Sequence, residues 1–167
     1  MKNFNGIKVP ESLREILDPA HTGLVVWDVQ AGLVGRIFNP EAFLGNLKNL
    51  LEGLRGRVPV FYTLITPLPK GYQSSWGLYS MMRRFGVDDP ARLPVFMAPG
   101  SPEREIPAAV APGPQDMVLE KSAASVFHGT NFETLLRNKG ITTLLFTGIA
   151  TEIGVETSAR DASVRGL

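Results

Sequence analysis

Residues Leu24-Val25-Val26-Trp27-Asp28 form a short apolar run that ends in a carboxylate. An uninterrupted run of this kind is typical of a central strand in a parallel sheet, because both faces of such a strand are buried. A second apolar run, 58–65 (VPVFYTLI), follows a helical stripe of leucines that begins after Asn39 and Pro40. Strand, helix and strand in this order predict a right-handed crossover between parallel strands.

The same alternation continues towards the end of the chain. Two further strands are predicted at 117–120, just before Lys121, and at 142–147, and a helix is predicted over 154–165. We therefore predict one domain, 1–167, with a three-layer α/β/α architecture around a doubly wound, Rossmann-like parallel sheet. In such sheets, ligands bind beyond the carboxyl ends of the strands, where Asp28 and Lys121 both fall.

A proline-rich segment, 66–113, separates the second and third predicted strands. Long ordered segments in compact domains usually carry function or contacts between subunits. We predict on this basis that the protein forms a homo-oligomer. Trp76, within the segment, is expected either to line a pocket for a planar substrate or to lie in a subunit interface.

The composition restricts the kinds of partner. Among 167 residues there are 17 basic and 16 acidic side chains, interspersed along the chain, for a net charge of +1. This balance argues against nucleic acids and anionic membranes as partners. No apolar stretch reaches the roughly 18 residues of a membrane helix, and the first residues lack the apolar core of a signal peptide. We predict a cytoplasmic protein that acts on a small molecule.

Asp28 and Lys121 are the strongest candidates for catalytic residues. A carboxylate buried at a strand end needs a partner, and a nearby ammonium stabilises its charged form. Such a pair can transfer a proton or polarise a substrate. The alternative from spacing alone is that Asp28 caps a turn and Lys121 is a solvated lysine.

Three blocks of sequence resemble the isochorismatase-like (cysteine hydrolase) family. They are Val26-Trp27-Asp28-Val29-Gln30, the segment 120–130 (EKSAASVFHGT) and the segment 148–162 (GIATEIGVETSARDA). The resemblance implies a hydrolase of the α/β/α fold, with catalytic roles for Asp28 and Lys121. It also implies that the substrate is bound by side chains or backbone from all three blocks, namely Gln30, Phe127, Ile149 and Ala150, with a cis peptide between the last two.

Gly154 stands where the family's amidases have their nucleophilic cysteine, and the chain contains no cysteine at all. Covalent thioester chemistry is therefore excluded within this sequence. Family members that hydrolyse the vinyl ether of isochorismate resemble this chain in having glycine there, which implies acid catalysis by Asp28 with Lys121. The open alternative is a catalytically inactive relative that binds a small molecule or a partner subunit. We expect a void the size of the missing side chain, and we expect the Gly154 amide to point into the pocket.

We predict neither metal nor cofactor. The family's nicotinamidases bind a metal through an Asp-x-His cluster after the second strand, where this chain reads 63–67 (TLITP). His21 and His128 lie in different segments and lack the spacing of a ligand pair. The resemblance also implies a truncated C-terminus, because the family continues beyond the last helix with another strand and helix.

Overall fold

The structure is a computed structural model that describes all residues, 1–167. Its helices and strands, in chain order, are β1 (Lys2–Phe4), β2 (Ile7–Val9), α1 (Leu13–Ile16), β3 (Thr22–Trp27), α2 (Ala31–Val34), α3 (Pro40–Leu54), β4 (Val60–Ile65), α4 (Ser75–Phe85), β5 (Met117–Lys121), α5 (Phe132–Lys139), β6 (Thr143–Gly148) and α6 (Glu156–Val164). The four central strands pair in the order β5-β4-β3-β6, and every pairing is parallel. The predicted doubly wound sheet is confirmed.

Helices cover both faces of the sheet because successive side chains of a buried strand point to opposite faces. Leu24 and Val26 of β3 belong to the core on the α3 face, together with Leu47 and Leu51. The intervening Val25 and Trp27 belong to the core on the face of α5 and α6, with Phe132, Leu136 and Ala162. The alternation along β3 therefore assigns the Trp27 side chain to the α6 side of the sheet.

A hairpin at the N-terminus was not expected from the sequence. Strands β1 and β2 pair antiparallel across Asn5 and Gly6, which both have positive φ angles, 50° and 84°. Asn-Gly is a strong signal for a two-residue hairpin turn because both central positions of that turn require positive φ. The Asn-Gly dipeptide was thus the available signal for this hairpin.

The proline-rich segment contains helix α4 and several isolated helical turns. None of the residues of α4 is buried, and the helix instead carries aromatic side chains on its surface. The longest helix, α3, has 15 residues. No helix in the protein combines the length and the apolar composition needed to cross a bilayer.

Candidate active site

Asp28 and Lys121 meet at the carboxyl edge of the sheet, as their positions after β3 and at the end of β5 predicted. The Lys121 Nζ atom lies 2.7 Å from Asp28 Oδ2, and both side chains are fully buried. Strand β4 runs between the two and provides Thr63, whose hydroxyl donates a hydrogen bond to Asp28 Oδ1 at 2.5 Å. Each carboxylate oxygen therefore has a donor from another strand of the sheet, Thr63 of β4 for Oδ1 and Lys121 of β5 for Oδ2.

The backbone also fixes the Asp28 carboxylate. Asp28 has a φ of 49°, in the left-handed region, so the chain turns sharply as it leaves β3. Its amide donates to the Thr63 hydroxyl at 3.0 Å, and its carbonyl accepts from the Gln30 amide at 2.9 Å. A non-glycine residue in this conformation costs of order 1–3 kcal/mol, and such residues cluster at functional sites.

Burial dominates the electrostatics of this pair. Removal from water raises the pKa of the Asp28 carboxyl, and the Lys121 ammonium and the Thr63 hydroxyl act in the opposite direction. Burial likewise lowers the pKa of Lys121, while Asp28 opposes that shift. Buried ion pairs contribute little to stability when compared with apolar replacements, and perturbed titratable groups cluster at functional sites. The pair is thus a candidate for proton transfer.

The Trp27 side chain occupies the space beside Gly154. A Cβ atom on Gly154 would overlap Cζ2 and Cη2 of the Trp27 indole, which is itself only 4% exposed. The expectation of a void at the position of the family's cysteine is therefore wrong. The alternation of side chains along β3 places the Trp27 indole in this space, although Trp27 and Gly154 are 127 residues apart in the sequence.

The Trp27 ring also covers the Lys121 ammonium. The Lys121 Nζ atom lies 3.6 Å from the ring centroid, within the range of a cation–π contact. The same ammonium donates to Asp28 and, at 3.2 Å, to the carbonyl of Ala123. The indole Nε1 is buried without a hydrogen-bond partner.

The backbone around Gly154 differs in part from expectation. The peptide bond between Ile149 and Ala150 is cis, as predicted. Residues Thr151–Val155 form a π-helical turn, so helix α6 begins only at Glu156. The Gly154 amide donates to the Ala150 carbonyl at 3.2 Å, so it does not point freely into a pocket.

The remaining predicted site residues lie in several environments. Gln30 is fully buried, where its side chain accepts from the Ile65 amide at 2.8 Å and donates to the Arg104 carbonyl at 3.2 Å. Phe127 is buried in the core on the α6 face, and Ile149 is buried in the core on the α3 face. Trp76 is 72% exposed on α4, 5.6 Å from the Tyr79 ring between centroids. Trp76 is therefore a surface residue, whereas Trp27, Asp28, Thr63 and Lys121 form a buried cluster.

Two members of this cluster were missed in the sequence. Thr63 is a polar residue near the end of the apolar run that became β4, and that position is a signal for a role at the sheet edge. Trp27 carries no comparable signal, because an aromatic residue on a buried strand is ordinary core. No group of three or more His, Asp or Glu side chains is arranged to hold a metal ion.

A comparison with known protein families matches residues 22–167 to the Isochorismatase domain. The chain belongs to the isochorismatase family. The ureidoacrylate amidohydrolase RutB of Methylobacterium radiotolerans is 29% identical over 93% of this chain and 67% of its own length. RutB of Rhizobium rhizogenes is 30% identical over 87% of this chain and 66% of its own length. The chain thus spans about two thirds of the length of these curated relatives.

Solved structures of the family share the fold. N-carbamoylsarcosine amidase from Thermoplasma acidophilum superposes with a TM-score of 0.68 and 30% identity, over 87% of this chain and 78% of its own. A cysteine hydrolase from Pseudomonas syringae pv. phaseolicola has a TM-score of 0.73 at 24% identity, over 90% and 69% of the two chains. At that identity the second likeness concerns the fold alone.

Proposed function

We propose that this chain hydrolyses a small molecule by acid–base chemistry at Asp28, without a covalent thiol intermediate. The observation that carries the proposal is the buried ion pair of Asp28 and Lys121, 2.7 Å apart at the carboxyl edge of the sheet. The Asp28 carboxylate must take up a proton before it can donate one, and burial favours that uptake because it raises the pKa of the Asp28 carboxyl. Gly154 provides no nucleophile, so catalysis must rely on proton transfer.

A vinyl ether is the bond that suits such a site. Transfer of a proton from the Asp28 carboxyl to the alkene carbon produces an oxygen-stabilised cation, and water then adds to that cation. The added water then loses one of its two protons to the Asp28 carboxylate and keeps the other as the hydroxyl of a hemiketal, which breaks down to a ketone and an alcohol. Lys121 stabilises the carboxylate that exists between the two proton transfers.

The relatives suggest a second class of substrate to test. Ureidoacrylate and N-carbamoylsarcosine, the compounds in the relatives' names, both contain a carbamoyl group bound to nitrogen. Their hydrolysis here would require direct attack by water on the carbonyl, since Gly154 excludes the thioester route. Ureidoacrylate and N-carbamoylsarcosine are both small polar molecules, which supports a small-molecule substrate for this chain.

The second candidate function is a catalytically silent relative that binds a small molecule or a partner subunit. It is favoured by the complete burial of Asp28 and Lys121 and by the Trp27 indole, which covers the ammonium. In this closed arrangement a substrate reaches Asp28 only after the covering side chains move. Turnover therefore separates the two candidates.

The experiment is a hydrolysis assay on an enol ether, a ureido acid and a simple amide. We expect turnover of at least one compound, and we expect Asp28→Asn to abolish it. Asp88→Asn is the matched control, because it makes the same change on an exposed carboxylate that is 88% accessible. Turnover that survives Asp28→Asn contradicts the proposed mechanism, and no turnover of any compound favours the silent relative.

A further inference from the structure

The side chain of Trp27 has no part in the proposed mechanism, yet it lies at the centre of the site. We infer that Trp27 and Gly154 form a matched large–small pair, in which the indole takes the place of a nucleophile's side chain and acts as a positioning residue for Lys121. This inference goes beyond the proposed function. Its tests measure stability and fluorescence, so they remain informative whether or not Asp28 supports turnover.

The steric part of the inference rests on the overlap at Gly154. Trp27 is the last residue of β3, a central strand with neighbours on both sides, so its backbone has little freedom to move. Any side chain at position 154 begins with a Cβ atom, and that atom would overlap the six-membered ring of the indole. Close-packed interiors do not absorb such an overlap without displacement of the ring. Trp27 therefore requires glycine at position 154.

The electrostatic part rests on the three contacts of the Lys121 ammonium. Its three N–H groups have three acceptors: the Asp28 carboxylate, the Ala123 carbonyl and the face of the Trp27 ring. The Lys121 side chain is fully buried, so water does not replace any of these contacts. A cation–π contact is stronger when the cation is removed from water, as it is here. The ring thus completes the coordination of a cation that would otherwise lack one partner.

The unpaired indole nitrogen supports this interpretation. Trp27 Nε1 is buried and has no acceptor, and an unsatisfied buried donor destabilises the folded state. A ring whose position is set by its N–H group would be oriented towards an acceptor. Here the ring is oriented with its face to Lys121 and its edge to Gly154, so shape and the cation fix its place.

The first test is a double-variant cycle between positions 27 and 154. In the parent, Gly154→Ala should raise the unfolding equilibrium constant by roughly 5- to 150-fold, the usual effect of overpacking. In a Trp27→Val background, the same alanine should have little effect, because the indole is absent. Equal effects in the two backgrounds would overturn the steric part of the inference.

The second test separates the ring face from simple packing. Trp27→Phe keeps an aromatic face and removes the unpaired N–H. Trp27→Leu has a side chain only slightly smaller than that of phenylalanine, and it has no π face. The leucine variant should have the larger unfolding equilibrium constant, by roughly 2- to 30-fold. The difference should disappear in a Lys121→Met background. If the difference persists without the ammonium, Trp27 does not act through Lys121.

Fluorescence provides a measurement that does not require the variants to be equally stable. The chain has two tryptophans, so Trp76→Phe leaves Trp27 as the single emitter. In that background Trp27 should emit at a short wavelength and resist acrylamide quenching, as its 4% exposure requires. Adding Gly154→Ala should shift the emission to longer wavelength. An unshifted spectrum in a folded Gly154→Ala protein would contradict the overlap.

Discussion

Replacement of Lys121 by methionine should destabilise the protein strongly, because it leaves the Asp28 carboxylate buried without its ion-pair partner. The Asp28 side chain is fully buried, and only the Thr63 hydroxyl would still donate to it. Loss of one partner of a buried pair costs about 3–5 kcal/mol. With a urea dependence of about 2 kcal/mol per molar, the unfolding midpoint at pH 7 should fall by about 1.5–2.5 M.

The pH dependence of Lys121→Met provides a second, independent measurement. Burial already raises the pKa of Asp28 above its ordinary 3.8, and removal of the ammonium should raise the pKa further. The folded state then holds a proton that the unfolded state releases above pH 3.8, so stability should fall as pH rises through the folded-state pKa. The loss caused by Lys121→Met should therefore be smallest near pH 4 and should grow towards pH 7.

Asp28→Asn/Lys121→Met is the matched control for this prediction, because the pair is replaced by two neutral side chains. Urea unfolding followed by circular dichroism at several pH values measures all three proteins. The double variant should be more stable at pH 7 than Lys121→Met alone and should lack the additional pH dependence. A loss below about 1 kcal/mol for Lys121→Met, independent of pH, would refute the description of Asp28 and Lys121 as a buried ion pair.

Three further predictions concern the surroundings of the site and the surface. Thr63→Val should destabilise the protein by about 1–3 kcal/mol, because it removes a donor to the buried Asp28 carboxylate. Thr63→Ser keeps the hydroxyl and should retain most of the stability, and the urea unfolding midpoints of the two variants test both expectations. Burial raises the pKa of Tyr62 to about 12 from 10.0, so stability should fall as pH rises from 10 through about 12, and an absorbance titration at alkaline pH should lose its latest step in Tyr62→Phe. We also predict a homo-oligomer, whose mass by light scattering should be a multiple of 18.2 kDa. If the exposed aromatic face of α4 lies in the interface, Trp76→Ser should reduce that mass. The mass of a single chain at micromolar concentration would contradict the oligomer.

Much of the fold follows from local sequence patterns. The apolar runs that became β3 and β4 are long enough to be buried on both faces, and the leucine stripe that became α3 has helical spacing. The N-terminal hairpin escaped prediction because its three-residue strands are exposed and carry no core pattern. Helix α1 is limited to Leu13–Ile16 for a related reason, since none of its residues is buried in the core.

The sequence by itself determined that Asp28 and Lys121 share one edge of the sheet, and that position 154 holds no nucleophile. Both conclusions depend on local facts, namely where parallel strands end and which residue stands in a motif. Only the tertiary structure decided what fills the space beside Gly154. Trp27 and Gly154 are far apart in the chain, and their contact arises because the alternation of β3 and the turn before α6 bring an indole ring and a bare backbone to the same point. Contacts between side chains this far apart in the sequence depend on tertiary packing, so local sequence patterns do not predict them.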